Sequence, residues 1–214
     1  MTSLNKAQAK AVRAAGEVFS QLKIEAGLRE IDVAGQIKSG LNKLGSRPSF
    51  RIIVASGKRS AIPHGFATEK KIRRGELVVI DFGAVYNGYR SDITRTVIVG
   101  KPTPRQRKIY RIVGEAQKRA IKAVRAGKAC FEVDRAAREY IGKKGFGKNF
   151  IHSTGHRVGK KVHEPPKISK GNRNKLKTGM IVCIEPGIYI KGWGGVRIED
   201  MVLVTKNGCK VLTR

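Results

Sequence analysis

Apolar positions recur every three to four residues along the opening segment of the chain. From about Leu4 to Ala26, Val12, Ala15, Phe19 and Leu22 share one helical face, with Gly27 as a stop. A second stripe, Val33, Ile37, Leu41 and Leu44, predicts another helix closed by Gly45. After Pro48 the period shortens. Phe50-Arg51-Ile52-Ile53-Val54 predicts a strand and Pro63-His64-Gly65 a turn. Leu77 to Phe82 is apolar and β-branched apart from Asp81, Asn87-Gly88 is a strong hairpin-turn signal, and Ile93 to Val99 resumes the strand pattern. A two-residue turn sets Tyr86 opposite Tyr89 and Gly83 opposite Asp92. Asp81 and Asp92 then leave the ladder on one face as diagonal neighbours, about 7–8 Å apart between backbones.

Thr103-Pro104-Arg105-Gln106 has the sequence of a capped helix start, and Ile109, Val113, Ala116, Ala120 and Val124 line the buried face that follows, up to Gly127. Val133, Ala137, Tyr140 and Ile141 predict a fourth helix ending near Gly145. The order repeats: Gly27, Val33, Gly45 and Phe50 are matched by Gly127, Val133, Gly145 and Phe150. Further along, His64 corresponds to His163, Asp81 to Glu185 and Asp92 to Glu199. So long a period argues for two halves, residues 1–100 and 101–214, packed as a single α+β domain about a pseudo-twofold axis, with functional groups from both meeting at the axis.

Composition narrows the class. With 214 residues and 40% hydrophobic content the chain can bury a sizeable core. It has no apolar run of the length a membrane span needs, and Met1 to Lys6 lacks a signal-peptide core, so secretion is not expected. Cys130, Cys183 and Cys209 are scattered and odd in number, which suits free thiols in the cytoplasm. Charge adds a second possibility. Lys and Arg number 45 against 16 Asp and Glu, a net +29, so weak binding of a polyanion such as RNA or the ribosome stands beside a generally basic surface. The cations fall in small clusters, Lys70 to Arg74, Arg105 to Lys108 and Lys170 to Lys177, instead of one tail.

The candidate chemistry lies in the carboxylates. Ile181-Val182-Cys183-Ile184-Glu185 is an apolar strand ending in an acid, and Val196-Arg197-Ile198-Glu199-Asp200 brings another back after the turn Gly192-Trp193-Gly194-Gly195. Desolvating a carboxylate without a partner is costly, so Asp81, Asp92, Glu185 and Glu199 in apolar strands call for a shared cation. Three of the four histidines, His152, His156 and His163, fall within a dozen residues, and the fourth, His64, is the repeat partner of His163.

Together these strings resemble the pita-bread metallopeptidases. The resemblance is carried by Asp81-Phe82-Gly83-Ala84 with Gly88 to Thr96, by Thr154-Gly155-His156 with Val162-His163-Glu164, and by Glu185-Pro186-Gly187-Ile188-Tyr189 with Gly195 to Asp200; it is greatest to the Xaa-Pro aminopeptidase and prolidase branch. It implies two pseudo-twofold-related halves, with antiparallel sheet covered by helices. It implies Asp81, Asp92, His156, Glu185 and Glu199 as ligands of two divalent ions, with Asp92 and Glu199 bridging; Mn²⁺, Co²⁺, Fe²⁺ and Zn²⁺ all suit an oxygen-rich shell with one imidazole. The implied activity is removal of an N-terminal residue by a metal-activated hydroxide, with proline preferred in the second position. Glu185 would shuttle the proton, His163 would bind the carbonyl oxygen, His64 and His152 would line the substrate pocket and assist the leaving nitrogen, and Arg197 would fix the metal carboxylates. Ser153, Arg157, Lys160 and Lys161 depart from the family's glycine-rich histidine motif and add positive charge beside it. The chain also lacks the large N-terminal domain common in the branch, which leaves substrate length and oligomeric state open. Methionine aminopeptidase is the alternative activity, and a nucleic-acid or ribosome-binding protein on the same scaffold is the non-enzymatic alternative. Metal-free creatine hydrolysis is disfavoured by retention of all five ligand types.

Overall fold

A computed structural model describes residues 5–213. The first half runs α1 (Lys6–Gln21), α2 (Glu30–Lys43), β1 (Arg47–Pro48), β2 (Ile53–Ser56), a 3-10 turn (Gly57–Ala61), β3 (Leu77–Phe82), β4 (Ala84–Tyr86), β5 (Tyr89–Arg90) and β6 (Ile93–Ile98). The second runs α3 (Pro104–Ala123), α4 (Cys130–Lys143), a 3-10 turn (Gly147–Asn149), β7 (Gly155–Arg157), β8 (Glu164–Ile168), β9 (Ile181–Ile184), β10 (Gly187–Ile190), β11 (Gly194–Arg197), β12 (Asp200–Val204) and β13 (Cys209–Val211). The strands form four sheets, ordered β2-β3-β6, β1-β4-β5, β13-β12-β9-β7-β8 and β10-β11, and every paired ladder is antiparallel.

The helices follow their stripes. α2 buries Val33, Ile37 and Leu41 completely, and α4 buries Val133, Ala137 and Ile141. Fully burying one such aliphatic side chain contributes roughly 1.5–3 kcal/mol. α3 starts as expected: the Thr103 hydroxyl accepts from Gln106 N, and the Gln106 side chain accepts in return from Thr103 N. Two expectations shift. Leu4, the expected start of the first helix, lies outside the described residues, and α1 ends at Gln21 because Leu22 turns to extended backbone, short of Ala26. The strand expected over Phe50 to Val54 begins at Ile53, because Ser49 N donates to Gly83 O and ties the preceding segment to the neighbouring sheet.

Bonding repeats along with the sequence. Gly27 N donates to Ile72 O and Gly127 N to Leu176 O; Ile72 N returns to Leu28 O and Leu176 N to Lys128 O. Gly75 N meets Val99 O as Gly179 N meets Val204 O. One apolar core sits under α1 and α2, with Val54, Val78, Ile80 and Phe82; a second sits under α3 and α4, with Val182, Ile184 and Val202. Between them Gln8, nearly fully buried on α1, donates to Arg90 O and Val158 O, one in each half.

The central hairpin has the predicted register. Tyr86 pairs with Tyr89 and Asp81 with Thr94, the same frame on both sides of an interruption at Gly83 and at Ser91 and Asp92. There the ribbon breaks and passes from the β2-β3-β6 sheet into the β1-β4-β5 sheet. Gly83 permits this, since a Cβ on it would collide with the Ser91 carbonyl. Ser91 Oγ accepts from Ala84 N and donates to Ala11 O, fastening the bend to α1.

Candidate metal centre

All nine side chains singled out by the sequence, His64, Asp81, Asp92, His152, His156, His163, Glu185, Arg197 and Glu199, line one cavity of about 700 Å³. The expectation of acids embedded in strands is corrected in part. Asp81 lies within β3, but Asp92 sits in the break before β6, Glu185 just beyond β9, and Glu199 between β11 and β12. Each of those three occupies a joint where the backbone leaves one ladder for another, so its side chain can turn to a common point instead of following the pleat. Glu185 N donates to Thr154 O and Glu199 N to Thr94 O, which fixes both joints.

Four carboxylates therefore converge with a single buried guanidinium. Asp81, Asp92 and Glu199 are 8%, 4% and 1% exposed, and Arg197 is 3% exposed. Arg197 Nη2 lies 2.6 Å from Asp81 Oδ2, Nη1 donates to Tyr189 OH at 2.7 Å, and Nε donates to Thr94 Oγ1 at 3.1 Å. Thr94 Oγ1 in turn donates to Glu199 Oε2 at 2.7 Å. Among the described residues, Asp81 Oδ1 and Glu199 Oε1 are buried with no hydrogen-bond partner. Orphaned anionic oxygens of this kind cost free energy unless a cation meets them, so the donor set fits divalent metal.

His156 is aimed to join them. Its Nδ1 donates to Arg157 O at 3.1 Å, which leaves the Nε2 lone pair facing Asp92 Oδ2 at 3.7 Å and Glu185 Oε1 at 3.6 Å. Those gaps exceed hydrogen-bond length and leave room for a shared ion. Burial lowers the His156 pKa to about 4, keeping the ring neutral as a ligand must be. Burial, reinforced by the neighbouring acids, holds Asp92 and Glu185 well above the usual carboxylate range and pushes Glu199 up to about 7.

The other imidazoles surround this cluster. The His163 ring stands edge-on to His156, centroids 4.3 Å apart, and desolvation lowers its pKa. His152 has both nitrogens engaged: Nδ1 donates to Ser153 O, and Nε2 accepts from Tyr189 OH at 2.8 Å. Burial lowers its pKa to about 4. A neutral ring held at both ends can shape the pocket but is poorly placed to carry a proton away. Several contributors lie within the strings that carry the resemblance but had no role assigned from the sequence. Tyr189, Thr94 and Arg95 position Arg197, Glu199 and Asp200, Arg95 by donating to Glu199 O and pairing with Asp200 at 2.8 Å. Phe50, Phe66, Val162 and Pro165 give the cavity an apolar wall, and Arg51 and Lys167 give it positive charge. Lys160 and Lys161 are absent from that lining, and Arg157 turns to Glu164 at 3.5 Å. The basic clusters lie elsewhere as well: Lys70 pairs with Glu76, and Arg105 stacks over Trp193. Among the described residues no helix is long and apolar enough to cross a membrane.

Comparison with known proteins agrees with this geometry. The chain is 53% identical over 206 residues to an Xaa-Pro dipeptidase of Pyrococcus furiosus, covering 96% of this chain and 58% of that protein. The solved prolidase from Pyrococcus furiosus superposes with a TM-score of 0.96 at 50% identity, covering 98% of this chain and 63% of that one. An X-Pro aminopeptidase structure from Thermotoga maritima gives 0.95 at 41%, covering 98% and 60%. The fold is thus the pita-bread fold of the prolidases, and the chain spans a little over half the length of the curated relatives it matches. These relatives do not favour the methionine aminopeptidase or nucleic-acid alternatives. Metallopeptidase family M24 matches residues 3–206, and the chain belongs to it.

Proposed function

We propose that this chain is the catalytic part of a metal-dependent exopeptidase acting on Xaa-Pro peptides. Asp81, Asp92, His156, Glu185 and Glu199 would hold two divalent cations, with Mn²⁺, Co²⁺, Fe²⁺ and Zn²⁺ all compatible with the donors. The observation that carries this reading is the pair of orphaned buried oxygens, Asp81 Oδ1 and Glu199 Oε1, in a cluster with one guanidinium for four acids. When bound, such ions lower the pKa of a water and polarise a carbonyl.

The chain's own groups do the rest. Glu185, at the cavity wall and without a hydrogen-bonded cation, takes a proton from the attacking water and returns it to the leaving nitrogen. His163, free among the described residues of the ring-locking bonds that hold His152, faces the same space to donate to the carbonyl oxygen, and His64 lines the same cavity. The apolar wall of Phe50, Phe66, Val162 and Pro165 suits a pyrrolidine ring, while Lys167 and Arg51 place positive charge where a short peptide presents its carboxylate. The Xaa-Pro names of the relatives support the same substrate class. The three free thiols support a reducing, cytoplasmic setting.

The test is a metal-free preparation reloaded with Mn²⁺ or Co²⁺ and assayed on Ala-Pro, Met-Ala and an Xaa-Pro tripeptide. Metal-dependent release from the proline substrates is expected, with Met-Ala a poor substrate. Absence of turnover on all three after loading overturns the proposal.

A further inference from the structure

The ligand set implied by the sequence contains no sulfur, yet the structure brings one to the centre. Cys183 lies in β9 opposite Met201 of β12, and strand alternation points it the same way as Glu185 two residues on. Its residue is completely buried. On one side it packs with Val12, Val158, Ile181, Met201 and Leu203. On the other side its Sγ, a ring nitrogen of His156 and carboxylate oxygens of Asp92 and Glu199 all lie within 4.8 Å of one another. An ordinary core cysteine has hydrocarbon on every side. This one closes a compact group of four potential donors in which its thiol already interacts with the Glu199 carboxylate, and Glu199 Oε1 is buried with no other hydrogen-bond partner among the described residues.

We propose that Cys183 is a sulfur donor to the metal centre, completing with Asp92, His156 and Glu199 a mixed sulfur, nitrogen and oxygen site for one thiophilic divalent cation. The inference rests on the reading of this cavity as a metal centre. As the sulfur–metal bond forms, the S–H bond breaks and its proton passes to solvent, with no change of oxidation state. The consequence is selectivity. A soft donor raises affinity for Zn²⁺, Co²⁺ and Cd²⁺ relative to Mn²⁺, which prefers carboxylate and water.

The test is a cobalt titration of the metal-free protein, with uptake measured by equilibrium dialysis and the near-ultraviolet followed for a sulfur-to-cobalt charge-transfer band. The band is expected in the wild type and in the double variant Cys130→Ser with Cys209→Ser, whose only thiol is Cys183. It is expected to vanish in Cys183→Ser, which should also bind Cd²⁺ at least about tenfold more weakly with little change toward Mn²⁺. Cobalt uptake without the band in the double variant overturns the assignment whether or not Cys183→Ser folds, and so does a band that survives in a folded Cys183→Ser. Failure to take up cobalt at all would instead overturn the metal-centre reading beneath it.

Discussion

Replacing Arg197 with Met isolates the electrostatics of the centre. The side chain keeps similar length and loses every polar contact: Asp81 Oδ2 at 2.6 Å, Tyr189 OH at 2.7 Å, Thr94 Oγ1 at 3.1 Å and Pro63 O at 3.2 Å. Asp81, 8% exposed, then has no partner for either oxygen, because Oδ1 already had none. Breaking a buried pair in this way costs about 3–5 kcal/mol, since an uncompensated charge is left behind. For a chain of this size each kcal/mol moves the melting temperature by roughly 2–4 °C. The metal-free variant should therefore melt about 6–20 °C below the metal-free parent in a calorimetric scan. Saturating both with Mn²⁺ supplies another positive charge to the same carboxylates, so the gap should narrow. The loaded proteins also gain about 2.7 kcal/mol for each site filled at a hundredfold excess over Kd. A metal-free variant within about 2 °C of the parent, less than 1 kcal/mol by the same conversion, would refute the reasoning. So would a gap that widens on loading.

Burial pushes Glu199 to about 7 and raises Asp92 and Glu185 in the metal-free protein, so the stability tied to those protons is fully present below the unfolded carboxylate value, about 4.3 for Glu, and is lost as pH rises through about 7. Cations must displace the same protons, so divalent affinity should climb with pH up to neutrality, and calorimetric titrations giving one affinity on both sides of neutrality would contradict it. Gly155→Ala would drive a Cβ into the Cys183 carbonyl beside His156, and metal affinity should fall at least about tenfold, as it does when the support of a ligand is disturbed; unchanged uptake by dialysis would count against that packing. Lys167→Met should raise KM for a free Xaa-Pro dipeptide more than for its C-terminal amide, with kcat changed less, and equal effects on both would remove Lys167 from carboxylate recognition.

The sequence carried the scaffold where local chemistry decides it. The Thr103-Pro104-Gln106 start, the α4 stripe, the α2 stripe as far as Leu41 and the Asn87-Gly88 turn each depend on neighbours a few residues away and stand as read, whereas Leu44, the last residue of the expected α2 stripe, caps the helix and is exposed. The start of β2 and the end of α1 were displaced by a distant bond to Gly83 and an extended Leu22, neither of which leaves a periodic trace. The nine candidate site residues, six of them paired by the repeat and the rest drawn from the family resemblance, share one cavity. Lys167 could not be picked out from 45 lysines and arginines, Tyr189 and Thr94 stood inside the family strings without a role of their own, and Cys183 read as a free thiol in an apolar strand. Their contacts lie far apart in the chain: Thr94 meets Glu199 and Cys183 nears Asp92 only after the halves pack, and Cys183 nears His156 only when β7 and β9 pair in one sheet.

The placement of Asp92, Glu185 and Glu199 at breaks between ladders divides the molecule into two kinds of position. Strand bodies such as Val78 to Ile80 and Val202 to Val204 are hydrocarbon throughout and owe the chemistry nothing beyond rigidity. An engineer seeking heat tolerance can therefore exchange aliphatic residues of equal volume along those bodies. Lengthening or shortening a hinge by even one residue would swing an acid away from its fellows.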